Sequence, residues 1–282
     1  MQLTVPVYNE LRSIIQRLCG LALSEDKAYL VRHRLEPVIQ RFGCNDFQGL
    51  IERLRGFPDL ALADAVVDAI TTKETSFFRD GHPFEVLRQH ILPELDHAAQ
   101  QRLLQGVKPS IRFWSAASST GQEAYTLAIL IHDYCARTGS AVSLTHFSIL
   151  ASDISSEALR LARAGVYSAR DLQRGLSESA IQRFFVPHGS DYKVLPALRQ
   201  LIDFRRLNLL SLPPALGMFD VILCRNVLIY FDEPSRRRIC EALYRCLLPG
   251  GYLIVGAAES LYWITDLFTT QRIDQTTVYR RF

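Results

Sequence analysis

Two polar positions follow predicted β-strands and have the residue types that bind a nucleotide-like ligand. Ile111–Trp114 is a β-prone run that stops at the small-residue loop 115–121, and a helix follows with Glu123 at its start. A second apolar run, 146–151, leads into Asp153. Open parallel sheets bind ligands beyond the carboxyl ends of their strands, where the loops diverge. We therefore expect a ligand site at this edge, with the Asp153 carboxylate accepting hydrogen bonds from a ribose diol.

The loop between the first strand and its helix favours one class of ligand over another. Gly121 is its single glycine, whereas the dinucleotide fingerprint needs several so that the backbone can approach a pyrophosphate. NAD and FAD are therefore disfavoured. Glu123 is unsuited to a phosphate but suits a cationic amino group, and S-adenosyl-methionine carries one. The carboxylate of that ligand would use the free N–H groups at the helix start. The alternative that Glu123 only complements the helix dipole stays open.

The composition excludes several classes of protein. The 282 residues are 48% hydrophobic and 22% charged, which is typical of a folded globular chain and argues against disorder. No segment approaches the roughly 18 consecutive apolar residues of a membrane span, and residues 1–10 lack the features of a signal peptide. A net charge of +3 is too small to indicate nucleic-acid binding. We expect a soluble, cytoplasmic protein.

The cysteines and histidines do not have the spacing of a metal site. None of the six cysteines forms a C-x-x-C pair, and most lie within apolar runs. The histidines form no H-E-x-x-H motif. We expect reduced cysteines in the core and no bound metal.

Hydrophobic periodicity divides the chain into two parts. Residues 7–70 contain four amphipathic helical patterns and no strand pattern, which predicts a small all-α domain. The second of these patterns covers 24–42 and contains Pro37, so the helix is either kinked or split. After residue 110, strands alternate with helices, which is typical of a mostly parallel sheet covered on both faces. The further strands predicted in this part are 219–224, 252–255 and, as an edge strand, 277–282.

Residues 165–206 do not follow the alternation of strands and helices. Short strand patterns at 192–195 and 201–204 lie near a turn at 189–191. We expect a small β insertion on the main sheet. It is either a recognition element or a decoration of the surface.

Five stretches of the chain together have the form of a set of family motifs. The stretches are T-K-E-T-S-F-F-R-D at 72–80, W-S-A-A-S-S-T-G-Q-E-A-Y at 114–125, A-S-D-I-S at 151–155, N-L-L at 208–210 and C-R-N-V-L-I-Y-F-D at 224–232. They resemble the motifs of the CheR-type chemoreceptor glutamate methyltransferases and occur in that family's order over almost the whole chain, which coincidence does not explain. L-L-P-G-G at 247–251 is shared with many methyltransferases and is weaker evidence.

The resemblance implies an α/β fold. A Rossmann-like class I methyltransferase domain with a small antiparallel β insertion would follow an all-α N-terminal domain. The implied regions are a helical domain at 1–70, a linker at 71–90 that contributes to the cofactor site, a methyltransferase domain at 91–282 and, within it, a β-subdomain at 165–206. The implied reaction transfers a methyl group from S-adenosyl-methionine to glutamate carboxylates of chemoreceptors in sensory adaptation. Its products are glutamyl methyl esters and S-adenosyl-homocysteine.

The resemblance also assigns site residues. Arg79 would contact the methionine carboxylate, Asp153 the ribose, and Asn208 and Leu209 the adenine end. The chain departs from the family at Lys73, where asparagine is usual. The full set of implied cofactor contacts is Lys73, Thr75, Arg79, Glu123, Asp153, Asn208, Leu209, Asn226 and Val227.

Two features are candidates for contact with the methyl acceptor. Tyr230 matches a motif position near the transferred methyl group and would orient the acceptor carboxylate, unless it is only a packed aromatic beside Phe231. Residues 27–41 carry four basic side chains against Glu36. We expect this segment to dock on acidic receptor helices by charge complementarity, the alternative being a solvated charged face. The substrate-docking residues of this hypothesis are Arg32, Arg34 and Arg41.

The resemblance further indicates the partners. The substrate would be the cytoplasmic helical domain of chemoreceptors in membrane arrays, with no nucleic acid, no membrane insertion and a monomeric enzyme. Around residues 184–194 the chain is shorter than in members that dock a tethering peptide at the receptor's C-terminus. Methylation independent of such a peptide is therefore predicted.

Two other functions stay open at the level of sequence. A nucleic-acid amino-methyltransferase would share the fold, but it usually carries a proline-aromatic motif where this chain has Arg225-Asn226-Val227. A signalling module that has lost its cofactor is the non-enzymatic alternative, and Lys73 is its only support.

Overall fold

The N-terminal part of the chain folds as four helices, which confirms the predicted all-α domain. The structure is a computed structural model that describes residues 1–56 and 59–282. The apolar faces of the helices meet in one core, in which Leu11, Ile15, Leu35 and Val66 are fully buried. The helices are α1 (Val5–Cys19), α2 (Ala28–Arg41), α3 (Phe47–Arg55) and α4 (Leu60–Ile70).

Local sequence signals explain where several of these helices begin and end. Asp46 Oδ1 accepts a hydrogen bond from Gly49 N (2.9 Å) and so caps the first turn of α3. Gly20 ends α1 with φ +80°, the left-handed conformation that glycine adopts most easily. The helix predicted over 24–42 forms as a short 3₁₀ turn followed by α2, which continues through Pro37.

The rest of the chain alternates between strands and helices. A π-helical turn over Leu87–Ile91 joins the helix His82–Val86 to the helix Leu92–Leu104. The strands are β1 (Ile111–Ala116), β2 (Phe147–Asp153), β3 (Val166–Tyr167), β4 (Phe185–His188), β5 (Asp191–Val194), β6 (Ile202–Arg206), β7 (Phe219–Cys224), β8 (Leu247–Val255), β9 (Thr269–Ile273) and β10 (Thr276–Arg280). The helices are α5 (His82–Val86), α6 (Leu92–Leu104), α7 (Gln122–Thr138), α8 (Ser156–Ala164), α9 (Ala169–Gln173), α10 (Glu178–Phe184), α11 (Pro196–Arg199) and α12 (Glu233–Cys246).

Seven strands form one sheet with a hydrophobic core on each face. Their order is β6-β2-β1-β7-β8-β10-β9, parallel from β6 to β8 and antiparallel at β10 and β9. Trp114, Ile222 and Leu253 are paired across three strands and belong to one core, whereas Phe113 and Val221 belong to the other. Burial on both faces explains why these strands are continuous apolar runs in the sequence.

Two predicted strands have other neighbours than expected. The strand predicted at 277–282 forms as β10, but it lies inside the sheet, because β9 pairs with its outer side. The strand predicted at 201–204 forms as β6, but it pairs in parallel with β2 of the main sheet. The inserted antiparallel sheet therefore contains only β3, β5 and β4, and its last strand ends at Val194. Hydrophobic periodicity indicates how a segment is buried but not which strand pairs with it. For this reason the predicted positions of both strands in the sheets were wrong.

None of the helices that the structure describes is long and apolar enough to cross a membrane.

Candidate active site

A cleft lies beyond the carboxyl ends of β1, β2 and β7, where the N-terminal domain packs against the sheet domain. The loops after these strands are close together because β1 pairs with both β2 and β7. The cleft holds about 970 Å³ of empty space, part of it open to solvent. The predicted site residues that line it are Thr75, Arg79, Glu123, Asp153, Asn208, Leu209, Asn226, Val227 and Tyr230.

Asp153 ends β2, and the main chain holds its carboxylate in place. Oδ2 accepts a hydrogen bond from Ser119 N (2.8 Å), and Oδ1 accepts one from Ser155 N (2.9 Å). Burial raises the pKa of the Asp153 carboxyl above its ordinary value, although these two N–H groups oppose that shift. Each carboxylate oxygen has a second acceptor position. Asp153 can therefore accept two further hydrogen bonds from neighbouring hydroxyls.

The loop after β1 is strained and contains a polar atom without a partner. Ala117 and Ser119 have φ +62° and +51°, which residues other than glycine rarely adopt. Gly121 has φ +96°, and a Cβ there would lie 2.9 Å from Ala162 Cβ, so only glycine fits. The buried Ser118 hydroxyl has no hydrogen-bond partner among the described residues. Both features are typical of a ligand-binding loop.

Glu123 lies in the first turn of α7, and two side chains orient its carboxylate. Ser115 Oγ donates to Oε1 (2.7 Å), and Arg225 Nη1 donates to Oε2 (2.9 Å). Arg225 is almost completely buried, and its Nη2 donates to Asp80 Oδ2 (2.9 Å) and to the Arg79 carbonyl (2.6 Å). The sequence alone does not reveal that Arg225 bridges Glu123 and Asp80, because the motif at 224–232 does not indicate which carboxylates lie near the guanidinium.

Arg79 provides a cationic group to the cleft. Its Nη1 donates to the main-chain carbonyl of Glu74 (3.0 Å), and it forms no ion pair with any carboxylate in residues 1–56 or 59–282. A partly buried arginine without an acidic partner is suited to bind the carboxylate of a ligand. Thr75, four residues before Arg79 in the linker, also lines the cleft.

Glu259 holds the loop that follows β7. Its Oε2 accepts hydrogen bonds from Asn226 N (2.7 Å) and Gly256 N (2.7 Å), and its Oε1 accepts one from Val227 N (3.0 Å). Asn226 has φ +55°, so this loop is strained as well. Glu259 thus fixes the backbone of two predicted cofactor contacts, although no sequence motif draws attention to it.

Asn208 and Leu209 follow β6 and face the N-terminal domain. Asn208 Oδ1 accepts a hydrogen bond from Leu210 N (3.0 Å), and its Nδ2 donates to the Leu18 carbonyl (3.4 Å). Leu209 is buried, and it lines the cleft together with Ile154. This end of the cleft therefore has an apolar wall beside the amide of Asn208.

The N-terminal domain contributes residues to the cleft itself. Cys19 and Leu21 line it, and Leu21 forms an isolated β bridge with Phe231. Ala22 N donates to the carbonyl of Tyr230 (2.9 Å), which is half-buried and also lines the cleft. The backbone of Tyr230 is thus held by the helical domain.

The Lys73 side chain is the one predicted cofactor contact that does not line the cleft. Its Nζ forms an ion pair with Glu157, near the start of α8. Its main-chain carbonyl accepts a hydrogen bond from Ser119 Oγ (3.0 Å). Lys73 therefore supports the loop after β1 through its main-chain carbonyl. Its ammonium group pairs with Glu157 and does not line the cleft.

The three basic residues of α2 differ in their surroundings. Arg34 is half-buried, and its Nη1 donates to the carbonyl of Ile70 (2.6 Å) within the N-terminal domain. Arg32 and Arg41 are exposed, and Arg32 Nε lies 3.9 Å from Glu36 Oε1. Of the three predicted docking residues, Arg32 and Arg41 are thus the two that are exposed at the surface.

The lining residues fit S-adenosyl-methionine chemically. Arg79 can receive its carboxylate, Glu123 its ammonium group and Asp153 its two ribose hydroxyls. The apolar side chains of Leu209 and Val227 suit the adenine ring. In the part of the chain that the structure describes, no three His, Cys, Asp or Glu side chains form a group that could hold a metal ion.

Known proteins match both parts of the chain. Residues 73–277 match the family described as "CheR methyltransferase, SAM binding domain", and residues 6–71 match "CheR methyltransferase, all-alpha domain". The chain is 36% identical over 275 residues to "Chemotaxis protein methyltransferase Cher2" of Pseudomonas putida, with 97% of each chain covered. It is 39% identical over 274 residues to "Chemotaxis protein methyltransferase 1" of Pseudomonas aeruginosa, with 95% of each covered. It is also 39% identical over 274 residues to "Chemotaxis protein methyltransferase" of Vibrio parahaemolyticus, with 97% of this chain and 96% of that protein covered.

These similarities extend over the whole architecture. They confirm the predicted fold class, the methyltransferase activity and S-adenosyl-methionine as the cofactor. The chain belongs to the CheR methyltransferase family.

Proposed function

We propose that this chain methylates glutamate side chains on the cytoplasmic helical domain of chemoreceptors. The observation that carries the proposal is the cleft in which Asp153, Glu123 and Arg79 converge, with Tyr230 in its wall. The related proteins of Pseudomonas and Vibrio are named as chemotaxis protein methyltransferases, which supports a protein of the chemotaxis system as acceptor. The chain would act as a monomer in the cytoplasm, recruited to receptor arrays at the membrane.

This reaction needs little acid–base chemistry from the protein. A glutamate carboxylate has a reference pKa of about 4.3, so it is already an ionised nucleophile near neutral pH. When bound, S-adenosyl-methionine supplies a methyl group activated by a positively charged sulfur. The side chains of the cleft then have to position the acceptor and exclude water. Such positioning is worth about 7–11 kcal/mol of the barrier.

Three features of the cleft support this positioning role. The ion pair with Arg225 holds Glu123 where it can meet the ammonium group of the cofactor. Leu21 of the helical domain lines the cleft, where its apolar side chain would help to exclude water. Tyr230 lines the cleft, and its phenolic hydroxyl would orient the acceptor carboxylate.

A methyl-transfer assay tests the proposal. Purified protein is incubated with S-adenosyl-methionine labelled in the methyl group and with a cytoplasmic fragment of a chemoreceptor. We expect base-labile label on the fragment, as a glutamyl ester requires, and none with the Asp153→Ala variant. Base-stable label on nucleic acid would instead identify an amino-methyltransferase. A folded sample that binds no S-adenosyl-homocysteine in a calorimetric titration would identify a signalling module.

The inserted sheet supports methylation without a tethering peptide. Its hairpin closes on a two-residue turn, Gly189-Ser190, between strands of only four residues. β4 is an edge strand and contains Pro187, which has no N–H to donate. A peptide that adds a strand to a sheet depends on such main-chain donors. Removing the receptor's C-terminal segment should therefore leave KM unchanged, and a rise of about tenfold would contradict the proposal.

The exposed basic residues of α2 support docking of the receptor on the helical domain. Arg32 and Arg41 are exposed and would attract the acidic helices of a receptor by charge complementarity. Arg34 is left out of this surface because it bonds the Ile70 carbonyl.

A further inference from the structure

Glu259 lies behind the loop that follows β7, on the side away from the cofactor cleft. Its side chain lines a separate cavity and not the cleft. β8 ends at Val255, and a turn after it brings Glu259 back, with Glu259 N donating to the Gly256 carbonyl (2.8 Å). Val255 pairs with Cys224 at the end of β7, so this turn lies directly beside the loop. Glu259 is therefore placed to act on the loop and not on a bound ligand.

The Glu259 carboxylate binds four main-chain N–H groups. Oε2 accepts hydrogen bonds from Asn226 N and Gly256 N (2.7 Å each), and Oε1 accepts them from Val227 N (3.0 Å) and Ile229 N (3.3 Å). A carboxylate has about four acceptor positions, so the main chain occupies all of them. A Cβ on Gly256 would lie 2.7 Å from Oε2 and 2.7 Å from Asn226 Nδ2, so only glycine allows this close approach.

The loop after β7 has a conformation that needs support from outside. Asn226 has φ +55°, a strained value for a residue other than glycine. A 3₁₀ turn, Leu228–Tyr230, follows, in which Tyr230 N donates to the Val227 carbonyl (3.1 Å). The first N–H groups of a helical turn have no partner within it. Glu259 supplies acceptors for the N–H groups at this place, and so it stabilises both the strained residue and the turn.

The same loop carries groups for both reactants. Asn226 and Val227 are predicted cofactor contacts, Tyr230 is assigned to the acceptor carboxylate, and all three line the cleft. Methyl transfer requires the attacking oxygen to lie in line with the methyl group and the sulfur. A displacement of about 1 Å can cost about a hundredfold in rate. The main chain between these three residues therefore sets the spacing on which the transfer depends.

We propose that Glu259 is a positioning residue for the methyl transfer. It holds the loop after β7 from behind, so that the cofactor contacts Asn226 and Val227 and the acceptor contact Tyr230 keep one fixed spacing. The inference rests on the proposed function, because it takes Tyr230 as the group that meets the acceptor. Glu259 itself would touch neither reactant, since its side chain lies outside the cleft.

Glu259→Gln tests the role, because it removes the charge and keeps the size of the side chain. One oxygen remains, but the amide nitrogen cannot accept hydrogen bonds from the N–H groups that face it. With a receptor cytoplasmic fragment we expect kcat to fall about tenfold or more, while KM for the fragment changes less than about twofold. Affinity for S-adenosyl-homocysteine should weaken about threefold or more.

Asp220→Asn is the matched control and should keep the wild-type kcat. The Asp220 carboxylate also binds a main-chain N–H, that of Arg112 (2.8 Å), but it does so at the opposite end of β7. The control therefore shows what the loss of such a carboxylate costs away from the cleft.

A double-mutant cycle with Tyr230→Phe tests how Glu259 acts. If Glu259 acts through Tyr230, removing the hydroxyl should lower kcat about tenfold in the wild type but less than about threefold in Glu259→Gln. The reason is that a displaced hydroxyl no longer orients the acceptor. Losses that multiply would show that the two residues act independently and would contradict the inference.

Amide hydrogen exchange gives a readout that does not depend on turnover. The amides of Asn226, Val227 and Ile229 should exchange faster in Glu259→Gln, because they lose their acceptor. The amides within β7 should keep their wild-type rates. Faster exchange throughout the sheet domain, with kcat reduced only in proportion to the folded fraction, would make Glu259 a residue of general stability and would overturn the inference.

The possible results separate this inference from the proposed function. If the wild type methylates no receptor fragment, the proposed function fails, and with it the assignment of Tyr230 on which the inference rests. If the wild type methylates the fragment while Glu259→Gln has wild-type kcat, cofactor affinity and loop exchange, only the positioning role is wrong. A lower kcat with unchanged KM, together with faster exchange confined to the loop, would support both.

Discussion

Arg225 joins Glu123 to the linker in front of the sheet domain. Its guanidinium lies 2.9 Å from a carboxylate oxygen of Glu123 and 2.9 Å from one of Asp80, and it is stacked over the ring of Phe84. The same guanidinium donates a hydrogen bond to the main-chain carbonyl of Arg79, its third partner. One buried cation thus orients the carboxylate of Glu123 and holds the backbone of Arg79, the two residues that we assign to the amino-acid end of the cofactor.

Removing this cation should cost both stability and cofactor affinity. Arg225→Met leaves Glu123 without its partner in a buried position, and breaking such a pair typically costs about 3–5 kcal/mol. Urea denaturation measures the free energy of unfolding, and calorimetry measures the affinity for S-adenosyl-homocysteine. Arg225→Lys keeps the charge but cannot bridge both carboxylates, so its affinity should be intermediate. Wild-type stability and affinity in Arg225→Met would show that the bridge is dispensable.

Affinity for S-adenosyl-homocysteine should decline on acidification. Burial raises the pKa of Asp153, so its carboxyl binds a proton at a higher pH than an exposed aspartate does. The protonated form offers fewer acceptor positions to the ribose hydroxyls. The affinity should therefore be highest at pH values above the raised pKa of Asp153, and it should decrease as the pH falls through that pKa.

Calorimetric titrations at a series of pH values, from neutral pH downwards as far as the protein stays folded, measure this dependence. Asp153→Asn should bind weakly at every pH, without the step that the wild type shows. The same step in Asp153→Asn would mean that another group titrates.

Replacing the side chain of Lys73 should have little effect on the cofactor. Lys73→Met loses an exposed ion pair with Glu157, which is worth at most about 1 kcal/mol of stability. The carbonyl of Lys73 still accepts the bond from Ser119 Oγ. Affinity for S-adenosyl-homocysteine should change less than about twofold, whereas Ser119→Ala should weaken it further. A tenfold loss in Lys73→Met would instead make the ammonium group a cofactor contact.

Tyr230→Phe should lower turnover with little loss of cofactor affinity. The variant keeps the ring in the cleft wall and removes only the hydroxyl that we assign to the acceptor carboxylate. A loss of about tenfold in kcat corresponds to ~1.4 kcal/mol of barrier. Tyr244→Phe is the control, because it removes a hydroxyl far along α12 that bonds the carbonyl of Phe282. Wild-type turnover in Tyr230→Phe would refute the orienting role.

Charge reversal on α2 should weaken docking of the receptor. The double variant Arg32→Glu, Arg41→Glu should raise KM for the receptor fragment at low salt and reduce its salt dependence, with unchanged cofactor affinity. The double variant Arg102→Glu, Arg137→Glu, at the exposed ends of α6 and α7, is the control for charge alone, because it changes the net charge by the same amount. Arg34 is unsuitable for this test, because its reversal would break the bond to Ile70 and destabilise the domain. Equal KM and salt dependence in the double variant and the wild type would exclude docking at α2.

Some elements could be predicted from the sequence because the forces that define them are local. β1, β2, β7 and β8 are buried on both faces, so each is an apolar run that needs no knowledge of its neighbours. β9 is polar and largely exposed, so the sequence has no alternation of hydrophobic residues there. The strand was therefore not predicted, and β10 was predicted as the edge of the sheet. Asp153 and Glu123 could be identified because the end of a strand and the start of a helix are visible in the chain.

The arrangement around those residues is decided by contacts between distant segments. Arg225 meets Glu123, Glu259 meets the backbone of Asn226, and Lys73 turns to Glu157. Each partner lies in another element, so only the packing of the sheet and the helical domain determines which charges pair. The sequence by itself thus determined which elements form, which family the chain resembles and which residue types face a ligand. The tertiary structure alone decided which of those side chains reach the cleft, because ion pairs and hydrogen bonds depend on distances that separation along the chain does not define.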